Sequence, residues 1–514
     1  MSQASDIAVL KELIDRKDEE LARKDEELAR KDERIAYLER MLFGSRRDRL
    51  KASAGQQGPG LFDDEFEQVL SQRKAEAEKA VKEVSRQDAR RRLEARKPSR
   101  PESYLCSPDL EERERTLLPE GIRPEDYDVI GQDVTRILRR DPAKFWIEKV
   151  VRPVLRLKAD RQQPSPRIVQ APAPGAVIGG NHVGADVLAQ IACDKFISHM
   201  PEYRQAKRLA QMGVRLSTST INGWVHATAS KLYPLYETLC EDIRARGYLQ
   251  VDEVPWRIAD AKGSCRKGYA WQFRDATPDS HGQYFYYLKG SRAGSIARAQ
   301  LRGFRGAVQT DGYGVYDYFE HADGVTLLAC MAHVRRKFVE AQGSSPALAA
   351  QAVSHIDTLY ALERSLRQRH APPDEVRRER QDKALPIMDW MEAWMQKAST
   401  QCTPADLLGK AIDYAYKLWP RLRRYTEDGI FQIDNNPVER GQRPTVMGRK
   451  NFLFSKNDRG AEDNAVFYSL LGSCETVGVN PLDWLTLVLT KLHSDMPEDQ
   501  IRQLLPYYYK KSRE

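Results

Sequence analysis

The chain has 514 residues, of which 41% are hydrophobic and 30% are charged, with a net charge of +8 and a pI near 8.9. This length predicts roughly three or four domains, and such mild basicity fits either a nucleic-acid-binding protein or an ordinary solvated surface. The seven cysteines contain no CxxC pair, which argues against a disulfide framework and fits a reducing cytoplasm. No apolar run approaches the roughly 20 residues of a membrane span, so we expect an intracellular protein without a membrane partner.

The first predicted element is a charged helix over residues 1–50. Apolar residues recur at every seventh position within near-identical RKDEELA repeats, at Ile14, Leu21, Leu28, Ile35 and Leu42. Lysines fill the partner position in the middle of the segment, which leaves half of a coiled-coil seam. A solitary surface helix is the alternative. A single apolar stripe of five repeats favours self-association, so we predict a coiled coil and a homodimer or larger oligomer.

Residues 51–100 begin with a glycine-rich stretch typical of a flexible linker and continue as a basic helix. Residues 71–100 hold eleven Lys and Arg residues against five Asp and Glu residues. Such a stretch is a candidate contact for a nucleic-acid backbone, with a solvated helix as the alternative. The candidate contacts in it are Arg90, Arg91 and Arg92.

Residues 101–170 predict a small strand-rich module. Strand patterns at residues 134–138 and 144–157 flank the turn sequence RRDPA, which indicates a β-hairpin. A proline-rich connector at residues 162–175 then separates this module from the next part of the chain.

Residues 171–240 are predicted to be helical and to contain two helices joined by a turn at Gly213. This spacing suits a helix-turn-helix, although ordinary helical hairpins share it. If the second helix enters a DNA groove, Arg215, Ser217 and Thr218 at its start are the candidate contacts.

Residues 241–338 carry the pattern of a β-sheet core. The sequence GYLQVDEVPWRI is an apolar strand that is predicted to bring Asp252 to its end, and AVQTDGYGVY repeats the plan with Asp311 before a glycine turn. Two aromatic strands and a short helix lie between them, and a fifth strand runs into a basic helix. Three antiparallel strands, a helix and two further strand–helix steps form the ribonuclease H-like order. We therefore predict this core within a multidomain α/β protein.

Residues 339–430 are helical and charged without a strand pattern, which predicts an α-helical insertion in the core. The core resumes over residues 431–465, where IDNNPVER predicts a helix start with an asparagine cap and with Glu439 in its first turn. Residues 466–514 predict a C-terminal helical region.

Asp252, Asp311 and Glu439 are candidate ligands for a hard divalent cation, which prefers oxygen donors. Two Mg²⁺ or Mn²⁺ ions held by these carboxylates would suit phosphoryl transfer. The alternative is that the aspartates are turn formers and the Asn-Asn-Pro sequence only a cap. Glu253 should point to the opposite face of its strand. His333 either faces the site or is a buried structural histidine, and we favour the second interpretation.

A cationic strip follows Glu439, because residues 435–460 hold six basic residues against two acidic ones. Such a strip near a metal site suits a phosphodiester substrate, whose charge must be neutralised. The candidate DNA contacts here and on the helix after the fifth strand are Arg440, Arg443, Arg449, Lys450, Lys456, Arg459, Arg335 and Arg336.

The blocks VDEVPW, QTDGYGVY, CMAHVRRKF and DNNPVERGQRPTVMGRKNFLFSKNDRGAE resemble, in order and spacing, those of bacterial insertion-sequence transposases of the IS66 family. The resemblance runs from about residue 38 into the C-terminal region. It implies a DDE-type enzyme that cleaves the ends of its element and transfers the strands into target DNA. It also implies double-stranded DNA and accessory proteins of the element as partners, in the cytoplasm and on the nucleoid.

Many members of this family carry cysteine pairs around the strand-rich module, where they are taken to bind zinc. Only Cys106 remains at that place in this chain. A single thiol does not form a four-ligand site, so we do not expect zinc.

Two other functions fit parts of the pattern. One is a ribonuclease H-like, structure-specific nuclease that cuts without joining, against which the coiled coil and the additional DNA-binding segments weigh. The other is a non-catalytic DNA-binding protein built on the helix-turn-helix and the coiled coil, in which the carboxylates would be incidental.

Overall fold

The computed structural model describes residues 110–119, 127–141, 144–157, 168–259 and 264–513. Outside these residues lie the expected coiled coil over 1–50, the expected linker over 51–100 with Arg90, Arg91 and Arg92, and Cys106. The described part is a mixed α/β protein with two separate sheets, which confirms the predicted class. No helix in this part is long and apolar enough to cross a membrane.

The small sheet is formed by the first four described strands. They are β1 (Glu111–Thr116), β2 (Tyr127–Asp141), β3 (Lys144–Leu157) and β4 (Ile168–Gln170). The antiparallel pair of β2 and β3 is the expected hairpin, although β2 is longer than predicted. β1 pairs with β3 in parallel and β4 pairs with β3 antiparallel. Alternate side chains of β3, among them Phe145 and Ile147, are buried, as expected for a strand with one face on the core.

Three helices follow, namely α1 (Ala185–Phe196), α2 (Glu202–Gln211) and α3 (Thr218–Arg244). The turn between α2 and α3 lies where the sequence predicts it, with Gly213 at a φ of +85°. The Ser217 hydroxyl accepts a hydrogen bond from the Thr220 amide at 3.0 Å and so caps the start of α3.

The large sheet contains five strands and one crossing helix. They are β5 (Tyr248–Ala259), β6 (Cys265–Asp275), β7 (Gln283–Tyr287), α4 (Gly294–Gln300), β8 (Gly306–Gln309) and β9 (Val325–Leu328). The strand order is β7-β6-β5-β8-β9, with antiparallel pairs among the first three strands and parallel pairs from β5 to β9. Short turns suffice for the antiparallel half, whereas α4 and a 3₁₀ segment carry the chain between the parallel strands.

The sequence prediction that Asp252 ends its strand is wrong. β5 continues to Ala259, because β6 pairs with it along its whole length as far as Cys265. The parallel partner is shorter, however, and its last pair joins Gln250 to Gln309. Asp252 therefore lies in the middle of β5 but just beyond the end of the parallel half of the sheet.

The helices after β9 form two groups. The first group is α5 (Met331–Ala341), α6 (Pro346–Gln368), α7 (Pro373–Glu379), α8 (Leu385–Ser399) and α9 (Leu407–Arg423). The second is α10 (Asn436–Phe452), α11 (Asp458–Val477), α12 (Pro481–Lys491), α13 (Glu498–Gln503) and α14 (Pro506–Lys511). α11 runs across residue 465, where the sequence analysis separates the core from the C-terminal region.

The large sheet separates two apolar cores. Leu249 and Val251 on one face pack with residues of α3, α11 and α12. Tyr248, Ala307 and Leu328 on the other face pack with residues of α5, α6, α8 and α9. Burial on both faces explains why the central strands read as nearly continuous apolar runs.

Helix α10 approaches the large sheet closely at Gly441. A Cβ atom at this position would lie 2.3 Å from both Gln272 Nε2 and Gln283 Oε1, two atoms of a buried amide pair that is joined by a 2.7 Å hydrogen bond. Only glycine permits this approach without displacement of the pair.

Gly441→Ala should lower the free energy of unfolding by about 1–3 kcal/mol, because the new methyl group overlaps the buried amide pair. Gly223→Ala on α3 is the matched control, since a Cβ there has no atom within 4 Å. The control should raise stability by up to about 1 kcal/mol. Urea unfolding followed by circular dichroism measures both, and equal effects would contradict the inferred close contact.

Candidate active site

A buried network of hydrogen bonds joins the parallel strands to the segment ahead of α10. Gln309 Oε1 accepts from the Tyr248 hydroxyl at 2.7 Å and from Gln250 Nε2 at 2.9 Å. Gln309 Nε2 donates to the Gln432 carbonyl at 2.7 Å, and Gln250 Nε2 also donates to the Asp434 carbonyl at 3.0 Å. Because buried polar groups need partners, this network holds the start of α10 beside the first residues of β5 and the end of β8.

A buried ion pair anchors the return of the chain from the α6–α9 region. Glu363 and Arg380 are joined by two hydrogen bonds of 2.8 Å. Arg380 Nη1 also donates to the carbonyls of Tyr425 and Asp428, each at 2.9 Å. The segment that leads to α10 is therefore fixed at both of its ends.

Asp311 lies in a tight turn directly after β8. Its Oδ1 accepts a hydrogen bond from the Tyr313 amide at 2.8 Å, and its carbonyl accepts one from the Tyr414 hydroxyl of α9 at 2.6 Å. Gly312 has a φ of +86°, and a Cβ at that residue would lie 2.5 Å from Leu418 Cδ1. The glycine turn predicted from the sequence is thus required by both the backbone conformation and the contact with α9.

Asn435 occupies the N-cap position of α10, as predicted, but its side chain does not cap the helix. Asn435 precedes the helix, but its side chain makes no capping hydrogen bond, and neither of its buried amide atoms has a hydrogen-bond partner among the described residues. Asp434 Oδ1 instead accepts from the Asn436 amide at 3.1 Å. Asp434 Oδ2 accepts from the Tyr360 hydroxyl of α6 at 2.8 Å, so this carboxylate joins the helix start to α6.

Glu439 faces α5 from the first turn of α10. Its Oε1 lies 3.5 Å from His333 Nε2, and its Oε2 lies 4.0 Å from Arg336 Nη2. Oε1 is shielded from solvent and has no hydrogen-bond partner among the described residues. His333 is half-buried and its ring lies against Glu439, so it faces the predicted site, and its favoured role as a structural residue stays a prediction.

The electrostatics of Asp252 link the three predicted carboxylates. Burial raises the pKa of its carboxyl group to about 8, and the negative charges of Asp311, Glu253 and Glu439 contribute to the increase. The Glu253 amide donates to Asp252 Oδ1 at 2.8 Å, which opposes the shift. The residues expected to act together thus repel one another, a repulsion that a bound cation would relieve.

Glu253 has partners of its own on the other side of β5. Its Oε1 accepts hydrogen bonds from Arg292 Nε at 2.9 Å and Nη2 at 2.6 Å. Its Oε2 accepts one from the Tyr316 hydroxyl at 2.9 Å. Because arginine and tyrosine occupy both oxygens, Glu253 is a structural carboxylate next to the predicted site.

The donor chemistry of Asp252, Asp311 and Glu439 suits a hard divalent cation, since all three supply carboxylate oxygens. Burial lowers the pKa of His333, while the charges of Glu439 and Asp311 oppose the shift. Among the described residues, no group of three or more His, Cys, Asp or Glu side chains is arranged to hold one metal ion. The carboxylates are electrostatically coupled, and their side chains stand apart in this conformation.

The candidate DNA contacts within the described residues are mostly exposed. The exposed ones are Arg215, Ser217, Thr218, Arg336, Arg440, Arg443, Lys450, Lys456 and Arg459. The half-buried Arg335 and Arg449 have protein partners, because Arg335 Nε donates to Asp357 Oδ1 and Arg449 Nη1 to the Pro255 carbonyl, both at 2.7 Å. These two are the least accessible of the set.

The sequence analysis missed several residues at the site. Tyr360 and Tyr414 reach it from the helices between β9 and α10, and Gln309 and Gln432 join its supporting elements. The polar side chain of Gln309 in an otherwise apolar strand is the one sign that the sequence offers, since a buried amide needs a partner.

Comparisons with known proteins identify the family. The description "Transposase IS66 family" matches residues 180–463, and "IS66 C-terminal element" matches residues 469–507. The uncharacterized protein y4jD of Sinorhizobium fredii is 30% identical over 74% of this chain and 76% of its own length. The uncharacterized proteins y4hP and y4qI of that organism are 29% and 28% identical, over 74% and 92% of this chain and 72% and 87% of their own lengths.

These matches define the class of the protein as a transposase, a protein of DNA transposition that binds DNA. The chain belongs to the Transposase IS66 family, as its sequence blocks predict.

The raised pKa of Asp252 predicts a pH dependence of stability. The unfolded chain releases the Asp252 proton near pH ~4, whereas the folded chain keeps it up to about pH 8. The favourable contribution is therefore fully present below about pH 4 and is lost as the pH rises through about 8. In EDTA, Asp252→Asn should exceed the wild type in free energy of unfolding by about 2–5 kcal/mol near pH 9 and match it at low pH.

Urea unfolding at a series of pH values measures this difference. The control is Asp499→Asn, which removes an exposed carboxylate on α13 and should follow the wild-type profile. If the stability of Asp252→Asn also followed the wild-type dependence on pH, the carboxyl group of Asp252 would have an ordinary pKa.

Proposed function

We propose that this chain is a DDE-type transposase in which Asp252, Asp311 and Glu439 are the catalytic carboxylates. The proposed reaction is strand cleavage at the ends of an insertion sequence, followed by strand transfer into target DNA. The observation that carries the proposal is the electrostatic coupling of Asp252 to Asp311 and Glu439, three residues from separate parts of the chain.

We further propose that the core is ribonuclease H-like. The strand order β7-β6-β5-β8-β9, with three antiparallel and then two parallel strands, supports this fold. Asp252 on the first strand of that sheet, Asp311 after the fourth and Glu439 on a later helix match the order expected for its acidic residues. The helices α6 to α9 would form the α-helical insertion that the sequence predicts over residues 339–430, and α5 would belong to the core.

The proposed cofactor is Mg²⁺ or Mn²⁺, bound as two ions by the three carboxylates. When bound, such ions lower the pKa of the attacking hydroxyl and stabilise the leaving 3′-oxygen. His333 and Arg336 would orient Glu439, since both lie within 4.0 Å of its oxygens. The exposed cations of α10 would bind the phosphates on either side of the scissile bond, with a salt-dependent contribution to affinity.

The remaining modules would bind and organise DNA. The start of α3, with exposed Arg215, Ser217 and Thr218, has the shape expected of a recognition helix after a turn. A coiled coil over residues 1–50 would join two copies so that both ends of the element are held together. Accessory proteins of the same element are the further expected partners.

The test is incubation of the purified protein with DNA of its element ends and Mg²⁺ or Mn²⁺. Asp252→Asn, Asp311→Asn and Glu439→Gln should each reduce nicking and joining by at least about 10³-fold, because each removes a ligand of the proposed metal site. DNA binding, measured by mobility shift in EDTA, should survive in all three.

The control variant Asp499→Asn should cleave and join at the wild-type rate. Cleavage without joining in the wild type would favour the nuclease alternative. Full cleavage by any of the three carboxylate variants would remove that residue from the proposed catalytic set.

A further inference from the structure

The chain leaves α10 through a strained turn. Leu453 has a φ of 65° and a ψ of −50°, and the Phe454 amide donates to the Phe452 carbonyl at 2.7 Å. These values describe a γ-turn with positive φ at its centre, which is rare and strained for a residue with a side chain. Among the four described non-glycine residues with positive φ, Leu453 is the apolar one.

The turn is held in place by the far end of β5. The Ser455 amide donates to the Arg257 carbonyl at 2.9 Å, and the Ala259 amide donates to the Ser455 carbonyl at 2.8 Å. Asn464 Nδ2 of α11 donates to the Ser455 hydroxyl at 2.9 Å. Strained residues persist where the surrounding structure determines their conformation, and they cluster at functional sites.

The strained turn at Leu453 exposes apolar side chains to solvent. The exposed fractions are 59% for Leu453 and 46% for Phe454, and Met447 on the last turns of α10 is 44% exposed. A turn that served only to connect two helices would gain from a glycine at its centre and from polar residues beside it. The sequence instead places a leucine and a phenylalanine there.

The charges around this turn are positive and uncompensated. Arg443, Lys450 and Lys456 are exposed, and none of them forms an ion pair with another described residue. The nearest acidic residue in the sequence, Asp458, accepts hydrogen bonds from the guanidinium of Arg266 and from the Tyr287 hydroxyl. A polyanion with an apolar interior complements such a surface, and duplex DNA has both features.

We propose that Leu453 and Phe454 form a wedge that enters the base stack of DNA bound along α10. This inference rests on the proposed function, since α10 is the helix that carries Glu439. Leu453 lies fourteen positions after Glu439, which is about 21 Å along a helix axis at ~1.5 Å per residue. That length corresponds to roughly six base pairs at ~3.4 Å each, so the wedge opens the duplex about six base pairs from the scissile phosphate.

The wedge performs two tasks that the carboxylates do not. Apolar side chains between base steps unstack them and kink the duplex, and a phenyl ring stacks on a base irrespective of its identity. The cations on either side neutralise the phosphates that the kink brings closer together. The DNA is thereby bent and held in register relative to Glu439.

The experiment uses the full chain and element-end duplexes that carry the fluorescent base 2-aminopurine at one position at a time. The fluorescence of this base rises when it is unstacked. In EDTA, which permits binding without cleavage, wild-type protein should increase the emission at one or two adjacent positions. Phe454→Ala should abolish the increase and weaken binding about tenfold, as expected for the loss of one stacked base.

The variant Leu453→Gly distinguishes a loss of the DNA contact from a loss of folding. Glycine relieves the positive φ, so this variant should gain about 2 °C in Tm while the 2-aminopurine signal falls. A variant that is more stable and yet unstacks less DNA has lost a contact rather than its fold. Tyr318→Ala, which removes a 57% exposed ring on the 3₁₀ segment Gly314–His321, is the matched control and should keep the full signal.

Each result decides the proposal. If Phe454→Ala increases the 2-aminopurine emission as much as the wild type does, the wedge proposal is wrong. The proposed function then still stands, provided that Mg²⁺-dependent cleavage occurs. A change of oligomeric state in Phe454→Ala, with unaltered emission, assigns the patch to a second copy of the chain and also overturns the wedge. Failure of the wild type both to bind and to cleave the duplex overturns the proposed function and the wedge together.

Discussion

The geometry of the candidate site depends on the buried amide network between β5, β8 and the segment ahead of α10. Gln250 and Gln309 are fully buried, so each broken hydrogen bond would leave a polar atom in a dry environment. The network spans residues that are more than 100 positions apart and joins the strand of Asp252 to the helix of Glu439. A carboxylate site assembled from distant segments needs such a joint, because the carboxylates repel one another and do not hold themselves together.

The helices between β9 and α10 also support the candidate site. Tyr360 of α6 bonds to Asp434 at the start of α10, and Tyr414 of α9 bonds to the carbonyl of Asp311. Asp311 after β8 and the start of α10 are therefore both held by tyrosines of the helices between β9 and α10. DNA bound to these helices would act on both segments that carry the proposed catalytic carboxylates, which would connect DNA contact directly to the arrangement of the candidate site.

The sequence predicts the element types well and their ends less well. The turn after Asp311 is predictable because Gly312 has a local role, whereas the position of Asp252 within β5 depends on where its neighbour β8 stops pairing. The start of α10 shows the same limit, since Asn435 stands at the N-cap but the side chain that bonds to the helix start is that of Asp434, which Tyr360 holds in place. The coiled coil, the metal ions and the DNA contacts stay predictions.

Helix α10 is fixed at three places along its length. Asp434 holds its start, the contact of Gly441 with the buried amide pair holds its middle, and the bridge between Ser455 and β5 holds its far end. A helix held in this way neither slides nor rotates without breaking a buried contact. If the carboxylates converge on a cation as proposed, the movement must therefore come from side-chain rotamer changes and from the Asp311 turn, which take nanoseconds to microseconds, rather than from domain rearrangements.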